Sequence, residues 1–145
     1  MYAVLAIGWL IASFRTQTNS RQSTGDLFKI TVVVAARNEE ENLPALLDSL
    51  FIQDYDGKLE IIVSDDGSED HTVRVVRDLI PRFAEKGWGL NVLNNRSGKG
   101  SGKKHALNNA IKEASGEIIL TTDADCVVPR SWVRLMEAPF TDPEI

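Results

Sequence analysis

The sequence contains very little cysteine and histidine. One cysteine, Cys126, and two histidines occur among 145 residues. A single cysteine excludes an intrachain disulfide, and one thiol with two imidazoles disfavours a structural zinc site. Basic residues are also in the minority, with 16 Lys and Arg against 21 Asp and Glu and a formal net charge of −5. This balance argues against a nucleic-acid partner, because such proteins usually carry a basic surface that neutralises phosphates.

Two glycine-rich signatures of nucleotide binding are also missing. No G-x-G-x-x-G follows the first predicted strand, which disfavours a dinucleotide-dependent dehydrogenase. The stretch RSGKGSGKK over residues 96–104 is not a P-loop, because Ser97 stands where the leading glycine is required and Lys104 where Ser or Thr is required. Its glycines and basic side chains at a helix start still favour phosphate. A solvated basic loop is the alternative interpretation.

The amino-terminal apolar run is short. Residues 1–14 carry no charge and include Tyr2 and Trp9, aromatic residues that favour a membrane interface. As a helix they would cover roughly 20 Å, less than the roughly 30 Å of a bilayer's hydrocarbon layer. No basic residue precedes Arg15, which disfavours a signal peptide. We therefore predict a partial transmembrane helix over 1–14 that associates the protein with a membrane, with a buried helix as the alternative. Arg15 and Arg21 then predict a cytoplasmic location for the following chain.

The remainder of the chain alternates apolar runs with helical patterns. A polar stretch over 15–27 predicts a linker, and 28–145 predicts one domain. Continuous apolar runs, typical of strands covered on both faces, predict strands over 28–36, 59–64, 90–93 and 117–122. Apolar periodicity predicts helices over 41–51, 70–83, 103–114 and 131–138, with Gly116 as a left-handed cap of the third. This alternation predicts an α/β fold, a Rossmann-like open parallel sheet with helices on both faces.

Acidic side chains follow three of the four predicted strands, at the carboxyl ends where open α/β sheets bind ligands. Asp123 and Asp125 are two residues apart in an extended segment, so both carboxylates face one side. Hard oxygen ligands of this kind suit Mg²⁺ or Mn²⁺, which completes its shell with water and a substrate diphosphate. The alternative is that both aspartates satisfy backbone donors in a turn. Asp66 likewise either belongs to a tight turn or accepts a hydrogen bond from an imide N–H such as that of uracil.

Four motifs in order resemble the family 2 glycosyltransferases of the GT-A fold. They are VVVAARNEEEN, EIIVSDDGSEDHT, GKKHALNNAI and TTDADC, within about residues 29–132. The resemblance implies a cytoplasmic, inverting enzyme that transfers a sugar from a nucleotide-diphosphate sugar, usually a UDP-sugar, with Mg²⁺ or Mn²⁺. The acceptor would be a glycan or a lipid.

The resemblance also implies roles for the residues that match these motifs. The first loop would line the uridine pocket, the second would hold the uracil, and the last two motifs would hold the phosphates, the sugar and the metal. In chain order, these residues are Ala35, Arg37 and Glu39 for uridine, Asp66 for uracil, Lys103 for the phosphates, Asp123 for ribose, sugar and metal, and Asp125 as principal metal ligand.

Two positions depart from the family pattern. Ala35 replaces a common proline, and His71 replaces a glycine often found after the DDGS turn. The family's acidic catalytic base lies well beyond the metal motif, so we expect it beyond Ile145 and expect this chain to be a donor-binding half. Without that base, general-base activation of the acceptor hydroxyl is missing. The alternatives are a non-catalytic nucleotide-sugar-binding module and a sugar-phosphate nucleotidyltransferase, which would favour a glycine-rich loop after the first strand.

Overall fold

The computed structural model describes residues 2–7, 10–15, 27–95 and 102–141, the first two ranges by their backbone alone. The strands in these ranges are β1 (Tyr2–Ile7), β2 (Leu10–Arg15), β3 (Ile30–Ala36), β4 (Leu59–Asp65), β5 (Gly89–Asn94) and β6 (Ile118–Asp123). The helices are α1 (Leu43–Phe51), α2 (Thr72–Glu85), α3 (Lys103–Glu113) and α4 (Trp132–Thr141). One sheet has the strand order β1-β2-β6-β3-β4-β5. Strands β3 to β6 pair in parallel, which confirms the predicted α/β fold.

Helices cover both faces of the parallel part of the sheet. Val32 and Val34 of β3 belong to the large core with α1, α2 and α4, whereas Val33 belongs to a smaller core with α3. This division follows from the two-residue period of a strand, which sends successive side chains to opposite faces. Ala110 of helix α3 and Ala114, which directly follows the helix, pack in this smaller core with Val33, and these small side chains let the helix lie close to the sheet. The predicted two-sided cover is therefore confirmed.

The amino-terminal residues differ from the prediction. In place of a partial transmembrane helix over 1–14, the structure has the antiparallel strands β1 and β2. Strand β2 pairs with β6 from Ala12 opposite Leu120 to Phe14 opposite Ile118, and so supplies hydrogen-bond partners to an otherwise open edge of the sheet. Among the described residues, no helix is both long and apolar enough to cross a bilayer. The predicted linker lies largely outside the described residues, and membrane association and a cytoplasmic location stay predictions.

The turn after α3 is built differently from the prediction. Gly116 is not in the left-handed conformation that we predicted for it. The glycines with a positive φ among the described residues are Gly67, Gly87 and Gly102. Its N–H donates to Thr31 Oγ1 at 2.8 Å, and a Cβ there would lie 2.5 Å from Thr31 N. A glycine is therefore needed because the turn lies against β3.

The strand register brings the polar loops together at one edge. On β3, Ala35 lies opposite Ser64 of β4 on one side and Asp123 of β6 on the other. Parallel strands in this register end at the same level, so the segments after β3, β4 and β6 leave the sheet side by side. Segments far apart in sequence thus meet at the carboxyl ends of the strands.

Candidate functional site

A cleft of about 420 Å³ opens at the carboxyl ends of β3, β4 and β6. Its walls come from the ends of the strands, the segments after them, and the start of α3. The lining residues are Ala35, Ala36, Arg37, Glu39, Asp66, Gly102, Lys103, Asp123, Ala124 and Asp125. This set includes all seven residues that the sequence motifs selected. The structure therefore brings together every predicted site residue, while the roles implied for them stay predictions.

Asp66 is a buried carboxylate held in a fixed orientation. Its side chain is only 7% exposed, and Oδ1 accepts a hydrogen bond from Gly102 N–H at 3.0 Å. The other oxygen, Oδ2, lies 3.8 Å from Arg37 Nη1. The Asp66 N–H donates to Ala36 O at 2.9 Å, which joins the ends of β3 and β4. The cleft therefore presents one carboxylate whose position is set by the backbone of two other segments.

The side chain of Asp65, the residue before Asp66, stabilises a turn. Asp65 Oδ2 accepts the Ser68 N–H at 3.1 Å, and Gly67 between them has a φ of 72°. The backbone oxygen of Asp65 also accepts the Asn95 N–H at 2.8 Å. The turn interpretation of the DDGS segment is therefore confirmed at Asp65, whereas Asp66 faces the cleft and its bond to an imide N–H stays a prediction.

Three potential metal ligands cluster after β6. Ligand atoms of Asp123, Asp125 and Cys126 all lie within 4.8 Å of one another. Ala124 is buried, and it lies with Asp125 in a turn closed by the Cys126 N–H, which donates to Asp123 O at 3.1 Å. The two carboxylates thus meet through a turn and not through the predicted extended segment. Two carboxylates suit Mg²⁺ or Mn²⁺, so these residues fit the implied cation. Cys126 is only half-buried, because the chain has turned out of the strand at this point.

The start of α3 contributes a cation to the cleft. Lys103 Nζ forms an ion pair with Asp123 Oδ1. Gly102 precedes it with a φ of 122°, a conformation that residues with a side chain rarely adopt. The Gly102 N–H was not singled out from the sequence, although glycine before a helix start is the usual sign of a backbone amide available to an acceptor. Most of the predicted phosphate-binding loop, residues 96–101, lies outside the described residues.

A second group of residues was missed because it touches the cleft only through the backbone. Ser68, Asp70 and Thr72 accept hydrogen bonds from the amides of the loop after β3. Burial alone would raise the pKa of Asp70, but hydrogen bonds from Thr72 and from the Glu40 N–H outweigh it and lower that pKa. The sequence signal for this group is a run of Ser, Asp and Thr, which bond to nearby backbone.

Comparison with known proteins decides the family. The profile described as Glycosyl transferase family 2 matches residues 31–145, most of the chain. The chain belongs to glycosyltransferase family 2. Its described strands β3 to β6 and their helices are those of the GT-A fold of this family.

Three similar proteins illustrate the relationship. The beta-monoglucosyldiacylglycerol synthase of Synechocystis sp. is 30% identical over 116 residues, 79% of this chain and 23% of the relative. Staphylococcus aureus TarS 1–349, solved in complex with UDP, has a TM-score of 0.65 at 30% identity, covering 76% of this chain and 31% of the TarS 1–349 chain. The mannosyltransferase PcManGT of Pyrobaculum calidifontis, solved with GDP-Man and Mn²⁺, has a TM-score of 0.71 at 30% identity, covering 86% and 37%. This family 2 chain thus spans well under half of each of these proteins.

Proposed function

We propose that this family 2 chain forms the donor site of an inverting, metal-dependent glycosyltransferase that uses a UDP-sugar. The observation that carries the proposal is the single cleft in which Asp66, Lys103, Asp123 and Asp125 meet. A nucleotide-diphosphate sugar has three chemically distinct parts, namely a base with polar edges, a charged diphosphate and a sugar. The cleft offers the Asp66 carboxylate in one place and, in another, the Lys103 ammonium group beside the carboxylates of Asp123 and Asp125.

The nucleoside end of the cleft is formed by Asp66, Arg37 and Glu39. The Asp66 Oδ2 atom accepts a hydrogen bond from the N3–H of uracil in this proposal. Guanine also carries a ring N–H that can donate to a carboxylate, so GDP-sugars are the competing class of donor. PcManGT, solved with GDP-Man, is an example of a protein that binds such a donor. UDP in TarS supports the choice of uracil.

The diphosphate end is formed by Lys103, Asp123 and Asp125. Asp125 and Asp123 hold Mg²⁺ or Mn²⁺, and Mn²⁺ in PcManGT supports this assignment. A bound divalent cation supplies Lewis-acid compensation for the charge that develops on the departing diphosphate. Lys103 places a positive charge on the same leaving group. Each cleft carboxylate is thus used on the donor side, and the base that activates a glycan or lipid acceptor stays a prediction for residues beyond Ile145.

Calorimetry with UDP and Mn²⁺ tests this proposal. We expect wild-type protein to bind UDP much more tightly when Mn²⁺ is present, and the change Asp125→Ala to weaken that Mn²⁺-dependent binding at least roughly tenfold, about 1.4 kcal/mol. Asp56→Ala is the matched control, because Asp56 is an exposed carboxylate before β4, at the opposite edge of the sheet. Equal affinity with and without Mn²⁺, in both wild type and Asp125→Ala, would remove the assignment. Tighter binding of GDP than UDP would replace the proposed base.

A further inference from the structure

The loop after β3 gives three consecutive backbone amides to side chains of the segment after β4. The Asn38 N–H donates to Ser68 Oγ at 2.8 Å, and the Glu39 N–H donates to Thr72 Oγ1 at 2.8 Å. The Glu40 N–H donates to an oxygen of Asp70 at 3.1 Å. Three neighbouring amides are thus satisfied by three alternate side chains of another segment.

The second segment donates in return. The Glu69 N–H donates to Asn38 Oδ1 at 2.9 Å, and the His71 N–H donates to Glu40 Oε2 at 2.9 Å. The imidazole Nδ1 of His71 lies 2.9 Å from the same Glu40 oxygen. Residues 38–40 and 68–72 therefore form a reciprocal set of hydrogen bonds, which we call the loop clasp.

Thr72 and Asp70 bond to each other as well as to the loop after β3. Thr72 is fully buried at 0% exposure, and its hydroxyl donates to Asp70 Oδ1 while accepting from the Glu39 N–H. The same Asp70 oxygen also accepts the Thr72 N–H at 2.9 Å. The direction of each hydrogen bond is thereby fixed, because the Thr72 proton is committed to Asp70 and its lone pair to Glu39.

The clasp also holds an uncommon backbone conformation. Asn38 has a φ of 53°, in the left-handed region that residues with side chains visit rarely. Asparagine tolerates this region because its short side chain bonds locally, and here its Oδ1 bonds Glu69. The residue before it, Arg37, and the residue after it, Glu39, both line the cleft.

We propose that the loop clasp is a positioning device for the nucleoside part of the donor. It holds Arg37 and Glu39 in place relative to Asp66, which is two residues before Ser68. This inference rests on the proposed function, and it concerns only one end of the cleft, because no clasp residue contacts Asp123 or Asp125 in the described hydrogen bonds. Loops ordered before binding lose less conformational entropy on binding, so a tight clasp raises affinity for the nucleoside.

The test compares two ligands, each of which probes one end of the cleft. Uridine 5′-monophosphate without metal probes the nucleoside end, and inorganic pyrophosphate with Mn²⁺ probes the other. Thr72→Val removes the hydroxyl at nearly constant shape. We expect it to weaken the binding of uridine monophosphate about tenfold and to change the affinity for Mn²⁺-pyrophosphate less than about twofold. Thr72→Ser keeps the hydroxyl and should restore the nucleotide affinity. Thr141→Val is the matched control at an exposed threonine near the end of α4.

Hydrogen exchange gives a readout of the clasp itself. The Glu39 amide should lose protection in Thr72→Val and regain it in Thr72→Ser, with the Val63 amide in the core of β4 unchanged. If Thr72→Val does not fold, Ser68→Ala serves as the second variant, because it removes only the partner of the Asn38 amide. It should weaken uridine monophosphate in the same direction by a smaller factor.

Two outcomes would overturn the inference alone. Equal weakening of both ligands would mean that Thr72 supports the fold generally, and unchanged nucleotide affinity with lost protection at Glu39 would mean that the clasp does not position the site. If wild-type protein binds neither ligand, the proposed donor site fails, and the positioning role fails with it.

Discussion

The Asp123 carboxylate has two positively charged partners, one observed and one proposed. It pairs with Lys103 at the start of α3, and in the proposed function it also holds the divalent cation together with Asp125. The Lys103 ammonium group would then compete with that cation for the same carboxylate. A bound diphosphate would attract the Lys103 ammonium group away from Asp123, since a diphosphate carries more negative charge than one carboxylate. Metal and diphosphate should then assist each other's binding.

Replacing Lys103 tests this mutual assistance. We expect Lys103→Met to let Mn²⁺ alone bind up to about fivefold more tightly, because an exposed ion pair contributes at most about 1 kcal/mol. The same change should weaken Mn²⁺-dependent UDP binding, so that the increase in UDP affinity caused by Mn²⁺ becomes smaller. Titration calorimetry with each ligand, alone and together, measures both effects. Lys104→Met, an exposed neighbour outside the cleft, is the control. If Lys103→Met left the Mn²⁺-dependent increase in UDP affinity unchanged, the ion pair between Lys103 and Asp123 would not couple the binding of the two ligands.

At the scale of elements, the sequence predicted each parallel strand and the helix after it to within a few residues. These elements carry strong local signals, such as the β-branched run of β3 and the leucines of α1. Strands β1 and β2 were missed, because an uncharged apolar run fits a helix as well as a pair of strands. What distinguishes them is pairing with β6, a contact more than 100 residues away that leaves no local pattern.

The candidate site likewise has one part that could be predicted from the sequence and one part that could not. Its lining residues could be selected from the sequence, because parallel strands bring their carboxyl ends to one edge and polar residues follow those ends. The loop clasp could not, because its hydrogen bonds join backbone amides to side chains about 30 residues away. Locally, Ser68 and Asp70 fit caps of the next helix, which is the commoner use of such residues before a helix.

The close approach of the turn after α3 to β3 gives a prediction for element packing. A Cβ at Gly116 would lie 2.5 Å from Thr31 N and 2.9 Å from Ile118 O, both backbone atoms. We expect Gly116→Ala to lower the free energy of unfolding by about 1 to 3 kcal/mol, since the strands must shift to accommodate it. Gly89→Ala is the matched control, because its nearest neighbour would be 3.8 Å away.

Urea unfolding measures both glycine variants, and UDP binding should survive in each, because Gly116 lies at the edge of the sheet opposite the cleft. Equal stability of the two variants would show that the turn can move away from β3 without cost.

For the whole molecule, acid stability depends on carboxylates at both ends of the sheet. Burial opposes ionisation of Glu60, but hydrogen bonds from Thr31 and Ser115 and the charge of Lys29 outweigh it and lower its pKa. The pKa of Asp70 is lowered too. A group whose pKa is lower in the folded protein stabilises it above the unfolded pKa, and this contribution is lost as the pH falls through the folded pKa.

We therefore expect the free energy of unfolding to decrease with falling pH below about 4.5, the ordinary pKa of a glutamate. Glu60→Gln should make this decrease shallower, and Ser115→Ala should do so to a lesser degree, because it removes one of the hydrogen bonds to Glu60. Urea titrations between about pH 3 and pH 7 provide the measurement. A slope in Glu60→Gln as steep as in wild type would assign the acid sensitivity to other groups.

The central place of β3 sets a length for whatever the cleft holds. Asp66 follows β4 on one side of β3, and Asp123 ends β6 on the other. Two inter-strand spacings separate these neighbours of β3, roughly 10 Å in all. A ligand that contacts both flanks must therefore extend across the tip of the central strand. The width of the sheet at this point thus sets a minimum length for any ligand that joins them.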